Sequence, residues 1–235
     1  MILAIETSSD YLSVALADDG VVLSEIASPD ARTHAERLVP TIHRLLADAD
    51  HKVANLDAIA VSLGPGSYTG LRIGLSTAKG YSMAHDIPLI GVSMFEGLAA
   101  GSKPEGITCL VLSPARKDEW FGGIVRDSVS FEEPVSSGIV KLDEIIDRAC
   151  DLPGPVQIIT TNLQKMSPIL DKMPPEIDVV ELQPRARFIS HVASRRLNEK
   201  VFSSLHDLEP DYGREYQAGV ASNIFQKLNA GMNKD

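Results

Sequence analysis

Residues 62–74 read SLGPGSYTGLRIG and follow directly on the apolar run 56–61. Gly64, Gly66, Gly70 and Gly74 all ask for bare backbone within this short stretch, so something must come close to it. An apolar run, a glycine turn and a helical pattern, in that order, make a strand–turn–helix unit, the building block of α/β folds and a frame on which phosphate cradles are built.

The known cradles do not match. A Walker A loop requires G-x-x-x-x-G-K-[ST], with the lysine reaching the terminal phosphates. Here Thr69 stands five residues after Gly64 and the next lysine is Lys79. The dinucleotide fingerprint G-x-G-x-x-G fails at its third glycine, where Thr69 sits, and Pro65 has no N–H to donate. Two uses of the glycines stay open: a direct phosphate contact, and a strand-to-helix turn that needs positive φ and close approach. The spacing favours the turn.

The helix launched by this turn spans about residues 70–84. At 100° per residue, Gly70, Leu71, Ile73, Gly74, Leu75, Thr77, Ala78, Tyr81 and Ala84 cover an arc of roughly 220°, leaving Arg72, Ser76 and Lys79 a narrow sector. A helix resting on a sheet needs an apolar stripe of only a little over ~100°. The surplus predicts a second covering layer, which could be the helical segment 33–49, the C-terminal tail or another chain. Gly70, Leu71, Gly74, Leu75, Ala78 and Tyr81 are therefore candidate partner-interface residues.

Around this unit the chain reads as a two-lobed α/β protein. Residues 2–5, 11–17 and 21–26 form three short strands, and the Asp-Gly of "DDG" marks a tight hairpin. Leu38, Ile42, Leu45 and Leu46 recur at helical spacing behind Thr33, a capping residue, with Pro40 expected to kink that helix. Strands at 57–63 and 87–92 and a helix from Ser93 follow. Turn residues cluster at "GSKPEG", and a second series then begins: strands "ITCLVLS" and "EWFGGIV", helix 142–150, strand 156–160, helix 163–172, strand 178–182 and helix 187–199. We expect an N-terminal lobe of residues 1–102 completed by 206–235, where 215–229 is weakly amphipathic, and a second lobe of 103–205. Mixed sheets flanked by helices are the expected architecture.

Composition narrows the function. The 235 residues are 44% apolar and 23% charged, ordinary globular usage, and the formal net charge of -10 disfavours a broad electrostatic grip on nucleic acid. Cys109 and Cys150 belong to no CxxC pair and read as buried small hydrophobes. No basic leader or long apolar run is present, so a soluble cytoplasmic protein without a membrane association is expected. His34, His43, His51 and His85 form no metal trio and read as surface or capping residues. Arg185, Arg187, Arg195 and Arg196 read as a basic, solvated patch. A nucleophile elbow G-x-S-x-G is absent.

The strings "MILAIETSSDYLSVAL", "RTHAERLVPTIHRLL", "SLGPGSYTGLRIGLSTAKG" and "IPLIGVSMFEGLA" together resemble the TsaB (YeaZ) family, and "EPDYGRE" resembles its short C-terminal motif. The likeness runs almost unbroken over the first hundred or so residues and is weak from 101 to 205. The resemblance implies the two-lobed acetate kinase, Hsp70 and actin fold. It also implies a noncatalytic paralogue and partner of the catalytic subunit TsaD in forming threonylcarbamoyladenosine at position 37 of tRNA. On the same ground a TsaE-like ATPase is a further candidate partner, a homodimer is expected when the protein is alone, and tRNA is met only indirectly. TsaD proteins carry a metal-binding H-x-x-x-H in the context V-N-H-M-E-G-H; here the string is V-S-M-F-E-G-L, so Met94 and Leu98 occupy the ligand positions and no metal is expected. Glu96 and Gly97 then read as a solvated and a packing residue. Of the fold's phosphate turns, the first corresponds to "ETSSD", where Glu6, Thr7 and Ser8 form a candidate vestigial nucleotide site. The second, "SPARKDEW", has no glycine. No cofactor is therefore expected. The alternative function is a residual nucleotide phosphotransferase or a peptidase-like enzyme of the same superfamily.

Overall fold

Alternation along the first strand sets the layering of the molecule. In β1 (Ile2–Glu6), Leu3 and Ile5 face one side of a sheet and Ile2 and Ala4 the other, and all four are fully buried, so both faces must be covered. The computed structural model describes residues 1–29, 33–102, 106–115, 117–126 and 136–213. β1 pairs antiparallel with β2 (Tyr11–Asp18), and β2 with β3 (Val21–Pro29); on its other side β1 runs parallel to β4 (Ala58–Ser62), and β4 to β5 (Leu89–Val92). The order is β3-β2-β1-β4-β5. At the β2–β3 turn Asp19 and Gly20 take φ 45° and 77°, the pair of positive dihedrals that a two-residue hairpin of type I′ uses.

The Leu3 and Ile5 face is covered by α1 (His34–Asp48) and α2 (Tyr68–His85), with Leu38, Ile42, Leu45 and Leu75 in the contact. Thr33 occupies the N-cap position of α1, and Pro40 lies inside one continuous helix on its exposed side. α2 begins two residues before the expected start, because Ser67 Oγ accepts from Gly70 N at 3.2 Å and closes the first turn.

The second sheet repeats the plan. β6 (Thr108–Pro114), β7 (Glu119–Val125) and β8 (Ser136–Lys141) form an antiparallel meander, and β9 (Val156–Thr160) and β10 (Asp178–Glu181) add in parallel, in the order β10-β9-β6-β7-β8. α4 (Ile145–Cys150) and α5 (Leu163–Leu170) close one face around Trp120, and α3 (Met94–Ser102) closes the other. The expected two-lobed fold of mixed sheets is thus present. β8 has no counterpart among the expected strands: its sequence SSGIVK holds only Ile139 and Val140 as large apolar residues, and pairing with β7 makes it a strand.

One boundary is corrected. α6 (Ala186–Asn198) was expected in the second lobe but packs Ala186, Ile189, Val192 and Ala193 onto Ile2, Ala4, Ala15, Ala58 and Ala60 of the first sheet. Alanines on that face let the helix axis come close, and Ala186 N donates to Ser13 Oγ at 3.0 Å to fix its start. The chain therefore re-enters the first lobe at about residue 186, not 206. Residues 203–213 continue along that lobe, where Ser203 N donates to Leu89 O and Asp211 N to Leu63 O, each at 2.8 Å. The amphipathic stretch 215–229 lies outside the described residues.

Candidate functional site

The glycines of the 62–74 turn receive another part of the same chain. A Cβ on Gly66 would stand 2.0 Å from Ser8 O, one on Gly70 2.1 Å from Thr7 O, and one on Gly74 2.3 Å from Thr7 Oγ1. Hydrogen bonds seal the contact: Ser67 N donates to Ser8 O at 2.7 Å and Thr7 Oγ1 to Gly70 O at 2.8 Å. The ETSSD turn between β1 and β2 is clamped against the start of α2, and Thr7 is spent on that clamp. Gly70 and Gly74, expected to let another chain approach, accommodate Thr7 instead. Leu71, Leu75 and Ala78, expected beside them, are also enclosed in the chain's own core, and of the expected interface set only Tyr81 is half-buried.

Glu6 lies beneath the clamp and is wholly buried. Its Oε1 accepts from Ser8 N at 2.6 Å, while Oε2 has no partner; the Ser8 and Ser62 hydroxyls stand beside the carboxyl without closing a hydrogen bond to it. Burial pushes the carboxyl above its ordinary range, against the pull of these neighbours. Glu6 is thus enclosed in the lobe rather than presented to a ligand, and of the candidate vestigial trio only Ser8 reaches the surface of a cavity.

That cavity is the cleft between the lobes, about 850 Å³, with Ser8, Asp10 and Tyr68 on one wall, Asn162 and Glu181 on the other, and Tyr212 at the edge. No lysine or arginine occurs among its described lining residues, and two carboxylates do. The N-terminus of α2 opens onto it at Ser67 and that of α5 at Asn162, whose Oδ1 accepts from Lys165 N at 2.8 Å. On the outer flank Arg72 Nε donates to the Tyr212 hydroxyl at 2.9 Å, its guanidinium lies 4.1 Å from the Tyr68 ring centroid, and the Tyr68 and Tyr212 rings stack at 4.8 Å. This cluster ties the C-terminal segment to α2. The sequence showed Tyr212 within a motif but held no local signal for Asn162, Glu181 or Gln183 as cleft residues.

The α3 positions that would carry paired imidazoles are core. Met94 and Leu98 are 2% and 1% exposed and pack with Phe95, Cys109 and Val111 against the second sheet. Burial also pushes the Cys109 thiol up to about 12. Glu96 is not solvated: it is 6% exposed, accepts from Arg196 Nη2 at 2.6 Å through Oε1, and from Ser93 N at 2.9 Å through Oε2. Gly97 is the expected packing residue, since a Cβ there would meet Ile189 Cδ1 at 2.8 Å. The basic patch dissolves in the same way. Arg196 also bonds Gly91 O, Arg185 and Arg187 pair with Glu25, and Arg195 with Glu199. His34 is buried rather than on the surface, and Cys150 is exposed rather than buried. Among the described residues no group of three or more His, Cys, Asp and Glu is placed to hold a metal ion, and no helix is long and apolar enough to cross a membrane.

Among the described residues, one side of the α1–α2 pair is left uncovered. Val39, Pro40 and His43 on α1 are exposed, and Ile73, Thr77, Gly80 and Ala84 on α2 are exposed or half-buried; these carry no formal charge, with Glu36 and Arg44 of α1 exposed beside them. His43 and Tyr81, with ring centroids 6.3 Å apart, join the two helices into one surface.

Comparison with known proteins places this architecture. Over 222 residues the chain is 30% identical to the tRNA threonylcarbamoyladenosine biosynthesis protein TsaB of Bacillus subtilis, covering 92% of this chain and 95% of that one. The chain belongs to the TsaB/YeaZ family. Residues 16–189 match the family model described as TsaD, tRNA N6-adenosine threonylcarbamoyltransferase. A tRNA N6-adenosine threonylcarbamoyltransferase of Salinibacter ruber is 39% identical over 112 residues, 41% of this chain and 34% of its own. A solved Pseudomonas aeruginosa structure, described as an uncharacterized protein with similarity to peptidase YEAZ, superposes with a TM-score of 0.75 at 25% identity, covering 91% of this chain and 99% of that chain.

Proposed function

We propose that this TsaB/YeaZ-family chain takes part in tRNA threonylcarbamoyladenosine biosynthesis as a noncatalytic subunit, binding and organising a TsaD-type catalytic partner. The observation that carries the noncatalytic half is α3, where Met94 and Leu98 are sealed into the core at the ligand positions. The reading that nothing catalytic remains at the first turn is supported by Thr7, held by Gly70, and by Glu6, enclosed in the lobe.

The partner half rests on the sparsely charged α1–α2 face. A paralogous subunit carries the same pair of helices, so one face can serve a two-fold homodimer when the chain is alone and the heterodimer when the partner is present. A TsaE-like ATPase would join that complex, and tRNA would be gripped by the partner, in keeping with a net charge of -10 here. The setting is the cytoplasm.

The test is a charge placed on the face at a residue the core does not use. A stable interface buries on the order of 1,000 Å² or more, and Gly80→Arg or Val39→Glu, at exposed positions, sets an unpaired charge into it. Both variants should keep the wild-type circular dichroism, run as monomers in size-exclusion chromatography with light scattering, and lose co-purification with the TsaD-type protein of the same cell. Retention of both assemblies by folded variants would place the interface elsewhere.

A further inference from the structure

We propose that a cavity on the second lobe binds an apolar monocarboxylate, a small organic acid whose single charge sits at one end of a hydrocarbon body. The cavity, about 820 Å³, is framed by the β6–β7 hairpin, the Leu142–Glu144 turn that follows β8, and the C-terminal end of α5. That volume falls in the range of small-molecule sites. The cavity shares no described lining residue with the cleft between the lobes or with the α1–α2 face, so this site and the partner role stand or fall separately.

Backbone hydrogen bonds preform the frame. Ala115 N donates to Glu119 O at 2.9 Å and closes the hairpin, and Leu142 N donates to Asp118 O at 3.0 Å and ties the turn to it. The floor is apolar: Leu142 and Ile169 belong to the core cluster around Trp120, Ile169 being only 7% exposed, and Pro168 adds a ring without an N–H. A hydrocarbon body laid against this floor leaves water. The carbonyls of Ile169 and Leu170 at the end of α5, which would repel an anion, already accept from Lys172 N at 3.1 Å and Met173 N at 3.0 Å.

Charge then selects the head group. Lys117, Lys141 and Lys172 line the cavity, one from each side of the frame, and among the described residues none of them forms an ion pair. Of the carboxylates beside them Glu119 already has a partner, which leaves Asp118 and Asp143 to face the three ammonium groups. A single positive charge stands in excess, and one carboxylate matches it. A cationic ligand would meet the lysines, and the second charge of a phosphate would meet the two aspartates. Arg116, next to Lys117 in the sequence, is of the same sign as the lysines and lies outside the described residues.

Isothermal titration of the full chain tests this with three probes that share one body: 4-phenylbutyrate, 4-phenylbutan-1-ol and 4-phenylbutylamine. The carboxylate should bind saturably and one-to-one, roughly tenfold or more tighter than the alcohol or the amine. It should also shift the emission of Trp120, the single tryptophan, which packs in the cluster that floors the cavity. Lys141→Glu and Lys172→Glu, at exposed positions, should each weaken carboxylate binding about fivefold without a change in circular dichroism, and together should make the amine the tighter ligand. Lys52→Glu, equally exposed on the first lobe, should change nothing. The inference is overturned by silence of the carboxylate at millimolar concentration, by an alcohol that binds as tightly, by binding that leaves the Trp120 emission unmoved, by a preference indifferent to the paired reversal, or by an equal loss in Lys52→Glu.

Discussion

Gly70 and Gly80 sit on the same helix and ask opposite things of a methyl group. At Gly70 a Cβ would stand 2.1 Å from the Thr7 carbonyl oxygen, a backbone atom held in the first sheet, so Gly70→Ala should destabilise the protein by about 2–3 kcal/mol in urea unfolding. At Gly80 nothing lies within 4 Å, and Gly80→Ala should stabilise it by about 0.5–1 kcal/mol through the unfolded chain. Glu6 supplies the pH counterpart. Its carboxyl titrates higher in the folded protein than in the unfolded chain, so the folded state holds the proton more firmly and stability falls as pH rises from the ordinary glutamate range through the folded value. Glu6→Gln keeps an acceptor for Ser8 N and adds a donor toward Ser62. Its advantage should be absent below the ordinary range, grow through that window, and level off above it at about 1 kcal/mol, as read from urea midpoints across pH. The sequence shows plainly that the 62–74 turn needs bare backbone. It cannot show that the guest is Thr7, which lies 63 residues from Gly70, because a helical wheel marks an apolar sector without saying what covers it.

At the scale of elements, α3 and α6 hold each other through one ion pair. Arg196→Met leaves the nearly buried Glu96 with only Ser93 N to answer its charge, and should cost about 3 kcal/mol; adding Glu96→Gln should recover most of it in a double-mutant cycle. The same packing answers the metal question. Met94→His with Leu98→His inserts two imidazoles into a filled apolar cluster, so the double variant should lose several kcal/mol of stability and, by elemental analysis, retain no stoichiometric iron or zinc. Helix and strand positions were largely legible, since periodicity and turn residues are local. The partners of Glu96 and the arginines were not: a charged residue on an amphipathic pattern looks solvated until a second helix lies against it. β8 was illegible for a related reason, its strand character coming from β7 and not from SSGIVK itself.

At the scale of the molecule, two sheets of matching order share an inner layer made of α3 and α6. Trp120, the single tryptophan, is buried under α5 in the second lobe and reports that lobe alone, whereas circular dichroism reports both. Because α3 packs on the second sheet and α6 on the first, with Gly97 and Ile189 in contact, the two signals should unfold together in urea; separated midpoints would show the lobes to be independent. The two-lobed plan could be read from the alternation of strands and helices, but the return of the chain at α6 could not, because nothing in its pattern distinguishes one sheet as its support from another.

That return imposes an order on biosynthesis. The alanine-lined side of the first sheet is translated early, yet the helix that roofs it ends only at Asn198, so at about 5–20 residues per second a ribosome leaves that side uncovered for roughly 5–20 s after α3 has been made. Beside Ile2, Ile90 and Val92 on that side, Ala4, Ala15, Ala58 and Ala60 keep the bared apolar area down during that interval, whereas larger side chains at those four positions would invite the nascent chain to stick to its neighbours. The four alanines thus guard the unfinished polypeptide as well as seating the helix in the finished one.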